Sequence, residues 1–267
     1  EFRRVLFRSE RWSSCPIFPA IIKKAGFNVY FWDNQKTTNA DISDFSIFSY
    51  IYDSSISKLA YTQCNTDIYP FDMDLIKSFF SVIKIRGKKD FIIFHFIGQH
   101  AMAQTKYPHI PKYTYFTPDS VSGNYSEMQK EQIAYYDNAT RYNDDVMRYL
   151  ISLVKNKECV IVYLSDHGEE VHDYRNHYGR TQESIKTANI LKYQYEIPFM
   201  IWCSEKYKEK HPNKIENMKA ALDKPFMNDN TCQILFDVAD ICCNYYKQER
   251  DLISPFYIPS CTKYCYL

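Results

Sequence analysis

The sequence predicts an α/β fold: a central, mostly parallel sheet with helices on both faces. Three observations carry that prediction. Short apolar runs rich in β-branched and aromatic residues recur at 27–32, 90–97, 159–164 and 197–203. Stretches with helical apolar spacing separate several of them. The first three runs stop abruptly in polar clusters, Asp33-Asn34, Gly98-Gln99-His100 and Asp166-His167-Gly168. Strands that are apolar without alternation are buried on both faces, as in a parallel sheet covered by helices. In such sheets ligands collect at the carboxyl ends of the strands.

The elements follow in order. Residues 17–25 read as a helix closed by Gly26, a C-cap glycine. Residues 27–32 form the first strand. The stretch 34–70 is polar, Tyr-rich and irregular, an insertion over one face. Residues 72–85 form a helix with the basic exit Arg86-Gly87-Lys88-Lys89, and 90–97 the second strand. The Pro- and Thr-containing loop 101–124 is long enough to be functional. Residues 127–156 form one long helix, 159–164 a buried parallel strand, and 166–196 a second polar segment. A fourth strand at 197–203 and a helix at 231–246 complete the pattern. There is no internal repeat and no inter-domain linker.

Composition narrows the function. The 267 residues suffice for one large domain, and 45% hydrophobic with 24% charged residues is ordinary for a globular protein. A formal charge of +1 gives no footprint for nucleic acid. No run reaches the roughly 18 apolar residues of a membrane helix. Of nine cysteines, Cys159 and Cys203 lie on strands as buried thiols and Cys242-Cys243 on the last helix. Cys261 and Cys265 are close enough in the tail to pair. The odd count argues against a complete disulfide framework, and the absence of a CxxC pair argues against a cysteine zinc site. Residues 1–9 back-translate to a widely used sequencing-library adapter, so they are expected to carry no fold information. Removing their three Arg and one Glu takes the charge from +1 to −1, which leaves nucleic acid excluded. Residues 10–267 are then expected to be a C-terminal fragment whose natural chain starts further upstream.

The chemistry concentrates in Tyr163-Leu164-Ser165-Asp166-His167-Gly168-Glu169. At a strand end, Asp166 and His167 can offer a carboxylate oxygen and an imidazole nitrogen to one ion, a donor mixture that suits zinc. Gly168 lets the backbone turn sharply there. The plainer alternative is an Asp turn with a solvated histidine. His95 is either a core histidine or a ligand, and His100, past the strand end beside Gly98, is the better ligand. His177 sits in a polar loop that can fold back over the metal. His172 and His109 are weaker candidates, and His211 is a surface residue. Tyr136-Asp137-Asn138 through Asp144, on the long helix, read as bracing groups and not as catalytic ones.

These segments, in this order, resemble the catalytic domain of the phosphoethanolamine transferases that modify lipid A and related envelope glycans. That family lies within the alkaline phosphatase/sulfatase superfamily. The matching segments are residues 22–27 with Trp32-Asp33-Asn34, residues 95–100 with Tyr107-Pro108, and Tyr136-Asp137-Asn138 through Asp144. Residues 163–169, His177 and residues 197–202 complete the set. The resemblance implies that Asp166 and His167 are zinc ligands, for one or two ions. It implies that His100 and His177 hold the phosphoryl group or a second zinc. The donor it implies is phosphatidylethanolamine and the acceptor a glycolipid. Transfer would run through a Thr nucleophile, releasing diacylglycerol from a phosphoethanolamine-Thr intermediate. That Thr and a Glu ligand precede the segment matched by residues 22–26 and are absent here, so this chain is expected to be inactive alone. A membrane anchor upstream, in the inner membrane, with a periplasmic catalytic domain, is also implied.

Some positions depart from the family pattern. Gln99 replaces a Ser, Ala101 a Gly, and His177 lacks the usual Leu-His-Gly setting. A sulfatase or a phosphoglycerol transferase is the alternative on the same fold. Cys15-Pro16-Ile17-Phe18-Pro19 does not fit the sulfatase C/S-x-P-x-R segment, with Ile17 at the Pro position and Pro19 at the Arg position. A catalytically dead scaffold is a third reading, against which the Asp-His pair argues.

Overall fold

The computed structural model describes residues 17–35, 54–85, 89–181 and 187–259. Residues 1–9, Cys15, Cys261 and Cys265 lie outside these ranges. The chain divides into two compact units, one ending at Ile97 and the other starting at Gly98.

The first unit is a parallel sheet with helices on both faces. Helix α1 (Phe18–Lys24) starts with Pro19 in its first turn and ends at Gly26, whose φ of +93° is the left-handed closure expected of a C-cap glycine. Strand β1 (Asn28–Asp33) follows, then α2 (Ser54–Ala60), β2 (Gln63–Cys64), α3 (Asp72–Val82) and β3 (Asp90–His95). β1 lies between β2 and β3 and is parallel to both. Side chains alternate across the pleat. Tyr30, Trp32, Ile92 and Phe94 pack against Leu75 and Phe79 of α3. On the other face Phe31 stacks on Tyr61 at 5.1 Å, and Phe91 meets Phe18 of α1 at 5.7 Å.

The boundaries differ from expectation for local reasons. Strand β3 stops at His95 because side chains take the next backbone groups. Ile97 N–H donates to Asp72 Oδ1 (3.0 Å), and Phe96 C=O accepts from Gln35 Nε2 (2.6 Å). Helix α3 ends at Val82 because Ile83 is already extended. The stretch 34–70 is not wholly irregular, since α2 and β2 lie within it.

The second unit is built on α4 (Glu127–Val154). Ser126 and Gln129 cap it reciprocally, and Ala134, Asn138, Tyr142, Val146, Leu150 and Val154 form part of its buried stripe. Strand β4 (Val160–Leu164), the hairpin strands β5 (Glu170–Val171) and β6 (Tyr178–Gly179), helix α5 (Ala188–Tyr195) and strand β7 (Phe199–Cys203) follow. The expectation of a parallel strand at 159–164 is corrected in this unit. β4 pairs antiparallel with β7, from Val160 opposite Cys203 to Leu164 opposite Phe199. An apolar strand's composition does not fix its direction, which follows from where the chain returns after the hairpin and α5.

Helices α6 (Glu205–Lys210), α7 (Pro212–Lys219) and α8 (Thr231–Val238) complete the unit. α8 stops well before 246 because Asp240 turns to φ +53° and Ile241 N–H bonds back to Phe236 C=O. Cys242 and Cys243 therefore lie beyond the helix and not on it. Cys159, Cys203, Cys232, Cys242 and Cys243 are free thiols, with Cys203 buried and Cys159 half-buried. In the loop 101–124, Asn138 pairs with both backbone groups of Phe116, accepting from N–H at 2.9 Å and donating to C=O at 2.8 Å. Among the described residues no helix is long and apolar enough to cross a membrane.

Candidate functional site

The turn after β4 is held from beneath. Ser165 Oγ donates to His167 C=O at 2.7 Å, and Asp166 Oδ1 accepts the His167 N–H at 3.1 Å. Gly168 N–H donates to Gln194 C=O at 3.0 Å, near the end of α5. A Cβ on Gly168 would fall 2.7 Å from Tyr193 O and 2.8 Å from Glu196 O. Glycine is needed here for close approach to the open carbonyl end of α5, not for the positive φ a sharp turn implies. The Gln194 side chain, fully buried, donates to Glu170 Oε2 at 3.2 Å and accepts from Thr181 N–H at 3.1 Å. One glutamine thus ties together both ends of the segment that follows the Asp-His pair.

That support fixes the histidine. His167 Nδ1 lies 2.8 Å from Gly168 C=O, an acceptor only, so Nδ1 carries the proton. Nε2 is left with its lone pair, 3.5 Å from Asp166 Oδ2. A backbone carbonyl that sets the tautomer of a metal-binding imidazole is the usual outer support of such a ligand. The Asp166 side chain is 87% exposed, so its carboxylate is open to an incoming ion. Among the described residues no group of three or more His, Cys, Asp or Glu side chains converges on one point. Asp166 and His167 therefore fit zinc as part of a ligand set, with the right donor types and tautomer.

His100 belongs to the same electrostatic neighbourhood. Burial first, then Lys106, His167 and Arg180, lower its pKa, and Asp166 opposes them. Burial raises the Glu169 carboxyl, against the pull of nearby His167 and Arg180. Sequence alone assigns no role to Glu169 or Arg180, although Glu169 closes the segment 163–169. Tyr136 and Tyr178 feel the Glu169 charge, and burial pushes each hydroxyl up to about 12.

His177 sits in the turn of the β5–β6 hairpin. Its Nε2 is buried and has no hydrogen-bond partner among the described residues. A buried imidazole nitrogen with that vacancy fits a phosphoryl oxygen or a metal as its partner. Glu170, fully buried, accepts Arg175 N–H and Nε, both at 3.2 Å, within the same turn.

The other histidines have plainer places. His109 bonds Gln104 C=O at 2.6 Å and stacks on Tyr107. His211, half-buried, stacks on Tyr207 and pairs with Glu158 at 3.4 Å, so it is not a simple surface residue. His172 is buried against α4. The bracing assigned to Tyr136 through Asp144 is visible in Asn138 and in Asn143, which accepts from Tyr163 OH at 2.7 Å.

The fold and this Asp-His turn define a class, and comparison agrees: the chain belongs to the sulfatase family, whose model matches residues 3–229. Within that class it is similar to phosphoethanolamine transferase EptC of Escherichia coli K12, 28% identical over 244 residues, 90% of this chain and 41% of that protein. It is also similar to the Kdo(2)-lipid A phosphoethanolamine 7''-transferase of the same organism, 27% identical over 125 residues, 47% of this chain and 21% of that protein. The C-terminal periplasmic domain of E. coli EptC in complex with Zn superposes with a TM-score of 0.73 at 25% identity, covering 91% of this chain and 66% of that one. The chain spans about two fifths of the length of EptC.

Proposed function

We propose that this chain is the catalytic part of an envelope phosphoethanolamine transferase. The reaction moves phosphoethanolamine from phosphatidylethanolamine to lipid A or a related glycolipid. The observation that carries this reading is the turn after β4, where Gly168 C=O holds His167 so that Nε2 faces Asp166. Similarity to EptC along 90% of the chain supports it.

In this reading Asp166 and His167 hold the metal. One or two zinc ions, when bound, polarise the phosphoryl oxygens and lower the pKa of a nucleophilic hydroxyl. The reading also calls for a nucleophilic Thr and a further Glu ligand, roles given to no residue of this chain. His100 is kept neutral by burial and by its cationic neighbours. A neutral imidazole can bond a phosphoryl oxygen through N–H or take the proton of an acceptor hydroxyl. His177 presents a buried nitrogen to the same group.

The test uses the full-length protein, labelled phosphatidylethanolamine and lipid A. The expected products are diacylglycerol and an acceptor heavier by one phosphoethanolamine, both lost in His167→Ala. Hydrolysis of sulfate esters without transfer would replace this reading with a sulfatase.

A further inference from the structure

We infer that His172 is a positioning residue for His177, latched to the first turns of α4 by Gln132 and Gln129. The inference rests on the proposed role of His177 in holding zinc or the phosphoryl group.

His172 adopts φ +61°, a left-handed conformation that side chains other than glycine resist. Such a conformation persists where the surroundings over-determine it. Those surroundings are visible. His172 Nε2 lies 2.7 Å from Gln132 Oε1, which only accepts, so Nε2 carries the proton and Nδ1 is the acceptor. Gln129 Nε2 stands 3.5 Å from that Nδ1 and donates at 2.8 Å to Asn176 Oδ1, on the residue before His177. Gln129 has its own carbonyl committed to the helix cap, accepting Ser126 N–H at 2.8 Å. The latch is therefore anchored at the capped end of α4.

The main chain carries the constraint to His177. His172 N–H donates to His177 C=O at 2.9 Å, and His177 N–H donates to Arg175 C=O at 2.7 Å. Both backbone groups of His177 are thus fixed within a turn that two glutamines pin to the helix. The ring needs that placement, because its buried Nε2 has no partner among the described residues to orient it. A latch that served the hairpin fold alone would leave the ligand response of His177 unchanged when broken.

The experiment follows the imidazole nitrogens of His177 by NMR in the 267-residue chain, titrated with Zn²⁺ and with phosphoethanolamine. In the wild type the His177 signals shift with at least one of these. Gln132→Leu removes the acceptor for His172 and weakens the affinity read at His177 by about tenfold or more. Gln132→Glu restores the acceptor and brings the affinity close to wild type. If Gln132→Leu does not fold, His172→Gly, which suits the positive φ and removes the imidazole, is expected to show the same loss. A wild-type His177 silent to both probes overturns the functional reading and this inference with it. A responsive wild type with an unchanged Gln132→Leu (or, where that variant does not fold, an unchanged His172→Gly), or a Gln132→Glu no better than the leucine variant, overturns this inference alone.

Discussion

Asp33 and His95 end neighbouring parallel strands in register, and their side chains meet there, Oδ1 to Nδ1, at 2.8 Å. Asp33 is fully buried, while the His95 side chain is 34% exposed. The same Asp33 oxygen accepts Gln35 N–H at 2.7 Å. His95 is thus neither an isolated core histidine nor a free ligand but an imidazole held by a buried carboxylate at the carboxyl edge of the sheet. Asp33→Ala takes the buried carboxylate away from both groups and is expected to cost about 1–3 kcal/mol of stability, read by urea unfolding. A cost within about 0.5 kcal/mol of zero, the range of ordinary surface substitutions, would show the pair to be unimportant.

Gly168→Ala tests the close approach to α5. The new methyl group would meet two backbone oxygens, at 2.7 and 2.8 Å, and neither can swing aside. The expected loss is about 1–3 kcal/mol, with His167 displaced from its carbonyl partner. Unfolding measurements with the wild type beside the variant decide it, since equal stability contradicts the packing.

Asp251 makes the stability of the second unit depend on pH. Burial, chiefly, pushes its carboxyl up to about 7, with Asp237 adding to the rise. The folded state therefore holds the proton more tightly than the unfolded chain, whose Asp titrates near 3.8. This contribution to stability is full below about pH 4 and is lost as pH rises through about 7. Asp251→Asn mimics the protonated form, so its stability relative to wild type should rise between those limits. A constant difference across the window contradicts the assignment.

Asn138→Ala removes the one side chain that satisfies both backbone groups of Phe116. Two polar groups of the loop then lose their partner, for an expected cost of about 1–3 kcal/mol. Limited proteolysis should find new cleavage between residues 108 and 121. An unchanged digest would mean that the loop holds itself in place.

Much of this molecule is legible in its sequence because its signals are local. The apolar runs mark β1, β3, β4 and β7, the long helical pattern over 127–156 marks α4, and the Asp-His-Gly turn is read where it lies. Strand direction was not legible for β4, because pairing depends on where β7 returns and not on the composition of either strand. Gln132 escaped notice because a glutamine on a helix looks like a solvated residue, and Gln194 because 166–196 reads as a polar segment in which α5 does not show. The reason for Gly168 was also hidden, since close approach to Tyr193 and Glu196 is a property of the folded chain.

Helix α4 has 28 residues and runs for about 42 Å. Along it Gln129, Gln132, Asn138, Thr140 and Asn143 hold four segments distant in sequence, around Asn176, Phe116, Gln99 and Tyr163. The helix can form from its own neighbours, whereas those segments gain their order only once it is there to receive them. We therefore expect a kinetic asymmetry. Truncating its core residues, such as Val146 or Leu150, should slow folding, and cutting a tether such as Asn138 should mainly speed unfolding. Stopped-flow folding and unfolding rates would show the reverse if the loops, and not the helix, form the nucleus.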